Sequence, residues 1–376
     1  MELLFWISLS GVFYAYLGYP LLLLALTRRA EATIAKPAAE RGYAPTVSLI
    51  IPVYNGGDVI QQKIANCLAL DYPHDRLEVI IVSDGSTDAT AALVNQELRP
   101  PLRFYELPVR GGKAKALNHG LARASGEVIV FSDVAIRLDR AALQNIVEKF
   151  YDPTIGCVSG EDRIAGASGE GLYGRYELFL RHLESRFFSI VGASGSFYAQ
   201  RRSLCEPFRE GAAPDFLSVL HTVEQGFRAI SEPSAFGTMT AVRGTADEFN
   251  RKVRTLIRGM TALFSKPGLL SLRRYGRFAL SLLSHKLMRW LVPFFLLLAL
   301  GSNLALLDSP FYRLLLALQV VFYLLAAGAA VSYLPLGRTT AGKIALYFTT
   351  VNLAILVAWF KYLRGTRQEL WSPSRR

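Results

Sequence analysis

Apolar positions along this chain fall into three regimes. Residues 1–26 are apolar almost without interruption, with Glu2 the single charge. Such a run has about the length of one bilayer crossing, at roughly 20 residues each. It has no basic n-region and no small-residue cleavage site, so it reads as an anchor rather than a removed signal. From Val47 the pattern becomes short apolar bursts separated by amphipathic stretches. Val47 to Val53, Glu78 to Val82, Leu102 to Glu106 and Val128 to Phe131 read as strands, rich in the β-branched residues of strands buried on both faces. Between them Asp58 to Leu70, Ala89 to Gln96 and Lys113 to Ala124 have helical spacing, with Asp58 and then Thr87 or Asp88 placed as N-caps. Strands and helices alternating at this interval predict a doubly wound sheet.

After Asp139 the rhythm loosens. Ala141 to Phe150 reads as a helix and Ile155 to Gly160 as a strand. Gly169 to Val191 is a long amphipathic stretch with Tyr173, Tyr176, Leu180, Leu183, Phe187 and Phe188 in one stripe, and Phe216 to Phe227 is a further helix with Asp215 at its N-cap. Asp247 to Phe264 interleaves Arg251, Lys252, Arg254 and Arg258 with Phe249, Val253, Leu256 and Ile257, a pattern suited to a membrane surface. Three apolar segments follow, at Met288 to Leu307, Phe311 to Leu334 and Ile344 to Tyr362. The expected organisation is an anchor (1–27), a linker (28–44), a soluble domain (45–245), interfacial helices (246–287), membrane segments (288–363) and a basic tail (364–376).

Charge sharpens this picture. The net charge of +12, from 42 Lys and Arg against 30 Asp and Glu, is concentrated beside apolar segments: Arg28 and Arg29 after the first, Lys361, Arg364, Arg367, Arg375 and Arg376 after the last. That placement points to anionic lipid rather than nucleic acid and marks the cytoplasmic side. Three full crossings after a cytosolic domain would carry the Arg-rich tail to the opposite side, against the charge rule. The last segment, with Thr349, Thr350 and Asn352 in its middle, is therefore expected to be interfacial or re-entrant. Cys67, Cys157 and Cys205 are far apart, have no ligand spacing, and read as reduced thiols.

Candidate chemistry sits where strands end. The stretch Gly126 to Ile136 is a buried strand that stops at Asp133, and the carboxyl ends of strands are where open α/β sheets bind ligands. Ser83-Asp84-Gly85-Ser86-Thr87-Asp88 leads from a strand into a helix; either its amides face an anion or Asp84 accepts from the edge of a base. Pro52-Val53-Tyr54-Asn55-Gly56-Gly57 closes the first strand similarly, with Tyr54 offering a flat face. Gly111-Gly112-Lys113 sets a cation beside a glycine turn, as a diphosphate requires.

Taken in order, Pro-Val-Tyr-Asn, Val-Ser-Asp-Gly-Ser-Thr-Asp, Gly-Lys-Ala-Lys-Ala-Leu-Asn and Phe-Ser-Asp make the chain resemble a family 2 glycosyltransferase. With its anchor and membrane segments it is similar to the hyaluronan, chitin and cellulose synthase-like branch. The resemblance implies a nucleotide-diphosphate-sugar-binding fold of the A type, a Rossmann-like mixed sheet with membrane helices at both ends. It implies inverting transfer from a nucleotide-diphosphate sugar to a glycan or lipid-linked acceptor, for exopolysaccharide or envelope glycan, at the cytosolic face of the inner membrane. Pro52, Tyr54, Asn55, Asp84, Lys113 and Asp133 would contact the donor. Asp215, in Ala213-Pro214-Asp215-Phe216, would match the last carboxylate of the Thr-Glu-Asp or Gly-Glu-Asp motif and act as general base. Ser194, Arg251 and Arg254 would meet the acceptor or the diphosphate.

Two departures qualify the likeness. The Asp-x-Asp metal motif reads Asp133-Val134-Ala135, so magnesium or manganese would have one carboxylate, with substrate phosphates and water completing its shell. The Gln-x-x-Arg-Trp motif of processive synthases reads Arg251-Lys252-Val253-Arg254-Thr255 and keeps only Arg254, which weakens the case for polymerisation. Alternatives are a transferase acting on a simple membrane lipid, ceramide- or hopanoid-like, and a non-catalytic scaffold subunit of a synthase complex. So few crossings also fit a separate export or synthase partner.

Overall fold

A computed structural model describes residues 1–28, 43–165, 170–240, 245–331 and 335–367. Most of the expected linker and of the basic tail therefore lie outside the described residues. Eight strands form one sheet: β1 (Val47–Val53), β2 (Leu77–Ser83), β3 (Leu102–Glu106), β4 (Val128–Ser132), β5 (Arg137–Leu138), β6 (Ile155–Ala165), β7 (Phe197–Arg201) and β8 (Arg228–Thr240). Their order is β3-β2-β1-β4-β7-β6-β8-β5. The first four are parallel, β7 is antiparallel to both β4 and β6, and β6 and β8 are parallel. The sheet is thus mixed, its parallel half matching the strands read from the sequence.

Successive strand residues face opposite ways, so β1 sends Leu49, Ile51 and Val53 into one core and Ile50 into the other. The β4 pairing of β1 ends at Ile50 opposite Phe131. Pro52, which has no N–H to give, lies past that point and does not interrupt the ladder. Phe131 and Tyr198 are directly opposite on β4 and β7 and stack at 4.7 Å, a cross-strand pair that fixes this junction.

The helices are α1 (Glu2–Phe13), α2 (Tyr19–Thr27), α3 (Ile60–Leu68), α4 (Thr90–Gln96), α5 (Lys113–Leu121), α6 (Ala142–Glu148), α7 (Glu170–Phe187), α8 (Pro214–Glu224), α9 (Thr245–Ser265), α10 (Leu272–Leu282), α11 (Met288–Leu304), α12 (Pro310–Ala330) and α13 (Thr340–Leu363). A π turn at Tyr14–Gly18 joins α1 and α2 into one rod, and another at Leu283–Leu287 joins α10 and α11. Among the described residues, four helices are long and apolar enough to cross a membrane: Glu2–Thr27, Leu272–Leu304, Pro310–Ala330 and Thr340–Leu363. One core face of the sheet continues into them, because Ile50, Ile129, Val253, Ile257, Trp290, Ala354, Ile355 and Ala358 belong to a single buried cluster.

Several sequence expectations are corrected here. β6 runs on to Ala165, and β8 was not foreseen: its inward alternation breaks around Glu232-Pro233-Ser234, which hides the period of two. Asp58 does not cap α3, whose N-cap is Val59. Asp215 is not an N-cap either, since α8 starts at Pro214 after Ala213 and places Asp215 in the first turn. Helix α10 breaks at Gly276, φ 45°, and beyond it runs on through the π turn into α11. The last apolar segment is a continuous 24-residue helix rather than a re-entrant hairpin.

Candidate functional site

The site is built from three loops at the carboxyl ends of β1, β2 and β4, and from two helix edges. Asn55, after β1, has a left-handed backbone, φ 48°, a conformation that asparagine tolerates better than most residues. Its Oδ1 accepts from Thr87 N at 2.8 Å, and its N donates to Ser86 Oγ at 3.0 Å. Asp88 draws the same loops together: Oδ2 accepts from Gly57 N, and Oδ1 accepts from Thr90 N at the start of α4. Desolvation works against the Asp88 charge, but these bonds outweigh it and hold its carboxyl below the ordinary range.

Asp84 is buried, 1% exposed. Its two oxygens accept from Gly111 N at 2.7 Å and Gly112 N at 2.8 Å. The residue expected at a base edge is therefore the brace of the Gly111–Gly112 turn. Neither Gly85 nor Gly112 tolerates a side chain easily: φ is +65° and +90°, and a Cβ on Gly85 would stand 2.7 Å from Arg110 N. The turn carries Arg110, whose guanidinium lies 3.9 Å above the Tyr54 ring, and aims Lys113 from the first position of α5. Asp84→Ala leaves two buried amides without acceptors and is expected to cost about 1–3 kcal/mol per group, read as a lower melting temperature together with a raised KM for the substrate bound at this turn.

Lys113 Nζ donates to Asp133 Oδ1 at 2.5 Å and to Gly195 O at 2.9 Å. Asp133 N donates to Ser196 O, so the end of β4 is pinned to the turn before β7. Ser194, expected to touch a ligand, is 3% exposed. Its hydroxyl instead donates to Asp162 Oδ1 at 2.6 Å and accepts from Ser196 N and Phe197 N, shaping the turn. Burial pushes the Asp162 carboxyl up, against the opposing Ser194 bond. Across the turn stands Asp215: a Cβ built on Gly195 would lie 3.8 Å from its carboxylate. The first turn of α8 favours that charge through its free amides.

The basic edge of α9 faces this space. Arg258 donates twice to Ala212 O, and Ala213 N donates back to Arg258 O, which ties α9 to the start of α8. Burial lowers the Arg258 guanidinium, while Asp215 and Asp133 pull it back up, so Arg258 feels both carboxylates. Arg254 is also lowered, by burial and then by its neighbour Arg251. A cavity of about 140 Å³ opens beside Asp215, lined by Gly192, Phe216, Thr255, Lys286 and Trp290. A larger one, about 740 Å³, lies behind α3 and the β4–β5 loop. It holds none of these residues, and its one buried cation, Lys63, is satisfied by Ser132 Oγ and Ile136 O.

Sequence reading missed Arg258, Lys286 and Asp162. Spacing of three and four residues places Arg251, Arg254 and Arg258 on one face of a helix, which is the signal for Arg258. Lys286 and Asp162 carry no such signal, because tertiary packing alone brings them to the site. Among the described residues no group of three His, Cys, Asp or Glu side chains could hold a metal. Asp133 keeps Oδ2 outside its bond to Lys113, so one carboxylate oxygen is open to a cation whose other ligands come from phosphate and water.

Residues 48–208 match the family model for glycosyl transferase family 2. Poly-beta-1,6-N-acetyl-D-glucosamine synthases of Staphylococcus aureus (strain MSSA476) and Staphylococcus epidermidis are 35% and 34% identical over 124 residues. That match spans 32% of this chain and only 30% of each relative's length. Among solved structures, a mannosyltransferase from Pyrobaculum calidifontis in complex with GDP-Man and Mn2+ is 27% identical, with a TM-score of 0.75 over 97% of this chain and 100% of that one. The mixed sheet and this likeness give the domain the A-type glycosyltransferase fold that the sequence motifs implied.

Proposed function

Because this chain carries a family 2 glycosyltransferase domain, we propose that it is a membrane-held, inverting enzyme moving a sugar from a nucleotide-diphosphate donor to a hydroxyl of a glycan or lipid-linked acceptor. The supporting observation is the meeting of the Lys113–Asp133 pair and Asp215 across Gly195. A donor diphosphate lies at the lysine, and an acceptor hydroxyl in the cavity beside Asp215. As the acceptor oxygen bonds to the anomeric carbon, its proton passes to the Asp215 carboxylate. The bond from that carbon to the diphosphate oxygen breaks, and its electron pair leaves with the nucleoside diphosphate. A single displacement of this kind inverts the centre and uses no enzyme nucleophile. Lys113, with Arg258 and Arg254 on α9, supplies positive charge where the leaving group gains negative charge.

Tyr54, stacked under Arg110, and the loop laced by Asn55 and Asp88 form the base end of the donor site. Asp133 would hold a divalent cation through its open oxygen, and the cation would neutralise the diphosphate. The Mn2+ named with the Pyrobaculum enzyme supports the cation. The GDP-Man named there and the polymer named for the staphylococcal relatives support a nucleotide sugar and a glycan product respectively. The product belongs to exopolysaccharide or envelope glycan synthesis, and Arg28 at the domain end of α2 supports a cytosolic domain. A second reading, transfer to a simple membrane lipid, is favoured by one observation: Trp290, on a membrane rod, forms a wall of the Asp215 cavity.

Purified protein in detergent, offered radiolabelled nucleotide sugars with Mg2+, Mn2+ or chelator, tests this reading. Transfer or donor hydrolysis with metal, and its loss with chelator, is expected. Turnover undiminished by chelator would remove the cation, and no turnover with any donor would favour a scaffold subunit. Product size separates a polymer from a single addition.

A further inference from the structure

Most charges around the Asp215 cavity are answered by the protein itself. Glu177 pairs with Arg289, Glu184 accepts from Tyr19 and from Val191 N, and His285 stands between the two carboxylates. Arg181 donates to Ser159 Oγ and Gly160 O. Two charges are left over. Among the described residues neither the Asp215 carboxylate nor the Lys286 ammonium has a hydrogen bond or an ion pair, although both line this cavity. Lys286 Nζ rests 5.5 Å over the Phe216 ring and takes no other partner.

Local structure sets the two against each other. Lys286 belongs to the π turn Leu283–Leu287. In such a turn, bonded from i to i+5, neighbours are separated by a smaller angle than in an α-helix, so His285 and Lys286 both face the domain. Single π turns recur at functional sites. Asp215 comes from the opposite wall, in the first turn of α8. One turn passes by both: a Cβ on Gly192 would lie 3.7 Å from Lys286 Nζ, and one on Gly195 3.8 Å from the Asp215 carboxylate. Those glycines are three residues apart, at most about 10 Å of chain, and their bare backbone keeps the gap open. A buried ammonium and a buried carboxylate that do not meet are each costly. A molecule that bonds to both removes that cost.

The geometry points to Lys286 as the specificity-determining residue on the acceptor side. It donates to one oxygen of the acceptor's terminal sugar while a neighbouring hydroxyl of the same ring meets Asp215, so the lysine selects which hydroxyl reacts. This role rests on the transferase reading. Three features set the chemical class. At about 140 Å³ the cavity is smaller than the about 300–1,000 Å³ of sites that enclose a whole ligand, so it takes a single terminal unit. Glu177, Glu184 and Asp215 outnumber Arg181 and Lys286 on its walls, which disfavours a phosphate or other anion. An apolar alcohol would leave Lys286 unpaired. A neutral ring with several hydroxyls satisfies both charges, and Phe216 and Trp290 offer it flat faces.

The test gives full-length protein in detergent a radiolabelled nucleotide sugar with Mn2+. The acceptors are octyl glycosides of glucose, galactose, mannose and N-acetylglucosamine, with decanol and octyl phosphate as the apolar and anionic alternatives. Transfer is expected to at least one glycoside and to neither alternative. Lys286→Met keeps an unbranched side chain and removes a charge that bonds to no protein group. It should raise the KM for that glycoside about 10- to 100-fold, the worth of one hydrogen bond to a charged group, and give mixed linkages where the parent gives one. Its melting temperature should still rise with the donor, which shows a folded protein with its donor side intact. Gly192→Ala, whose methyl meets the end of the lysine and the Phe216 ring, should raise the same KM. Parental KM and a single parental linkage in these variants would overturn the role of Lys286. So would transfer to decanol or octyl phosphate as efficient as to the glycosides, or no glycoside accepted while the donor is hydrolysed. A parent protein that turns over no donor at all fails the transferase reading itself.

Discussion

Asp215→Asn should lower sugar transfer by roughly 10²- to 10⁴-fold, the usual contribution of a general base, while a nucleotide-sugar donor still raises the melting temperature as it does in the parent protein. The carboxylate stands in the first turn of α8, where an amide of the same size keeps the packing against Phe216 and Ala213, so folding is not at stake. The variant separates binding from chemistry because the donor contacts, Lys113 and Asp133, lie on the other side of Gly195. Transfer at the parental rate would remove Asp215 from the mechanism. A parallel loss of donor binding would instead mean that Asp215 belongs to the donor side.

The largest expected effect on stability lies along the far wall of the Asp215 cavity, which Glu177, Glu184 and His285 also line. Glu177 on α7 pairs with Arg289 on the α10–α11 rod and lies 3.2 Å from His285. Glu184, two helical turns further, bonds His285 at 2.6 Å and accepts from Tyr19 at 2.9 Å. These contacts join the domain to both terminal rods. Arg289→Met removes the guanidinium that pairs with Glu177, and breaking such a buried pair costs about 3–5 kcal/mol. Arg289→Met combined with Glu177→Leu should recover most of that loss, because neither charge is then stranded. Thermal unfolding in detergent measures both.

The same pair sets a pH dependence. Burial alone would raise the Glu177 carboxyl, but Arg289 and then His285 hold it well below the usual carboxylate range. With the folded pKa below the unfolded one, this contribution is fully present at neutral pH. It is lost as pH falls below the ordinary range towards the folded value. Melting temperatures followed from pH 7 to below the ordinary carboxylate value of about 4.3, where the loss sets in, should fall less steeply for Glu177→Gln than for the parent. Equal slopes would contradict the assignment.

What could be read from the sequence follows from where the physics is local. The strands β1 to β4 are short apolar runs buried on both faces, so composition alone marks them. Asp133, Lys113 and Asp215 sit at strand ends or helix starts, where the neighbouring letters fix their place. The β8 strand escaped because Pro233 and Ser234, exposed one after the other, break its alternation. Asp84 and Ser194 were legible as positions but not as partners: Asp84 meets the Gly111–Gly112 turn, and the Ser194 hydroxyl donates to Asp162, both far away in the chain. Lys286 and Asp162 acquire meaning only through packing.

The continuous core that runs from Ile50 and Ile129 through Ile257 to Trp290 and Ala358 has a consequence for modularity. The catalytic half and the membrane half are not a head on a tether that evolution or an engineer can exchange at a linker. They share one interior, so a change of membrane helix is felt as a repacking beneath the sheet. The membrane helices and the sheet are for that reason altered together.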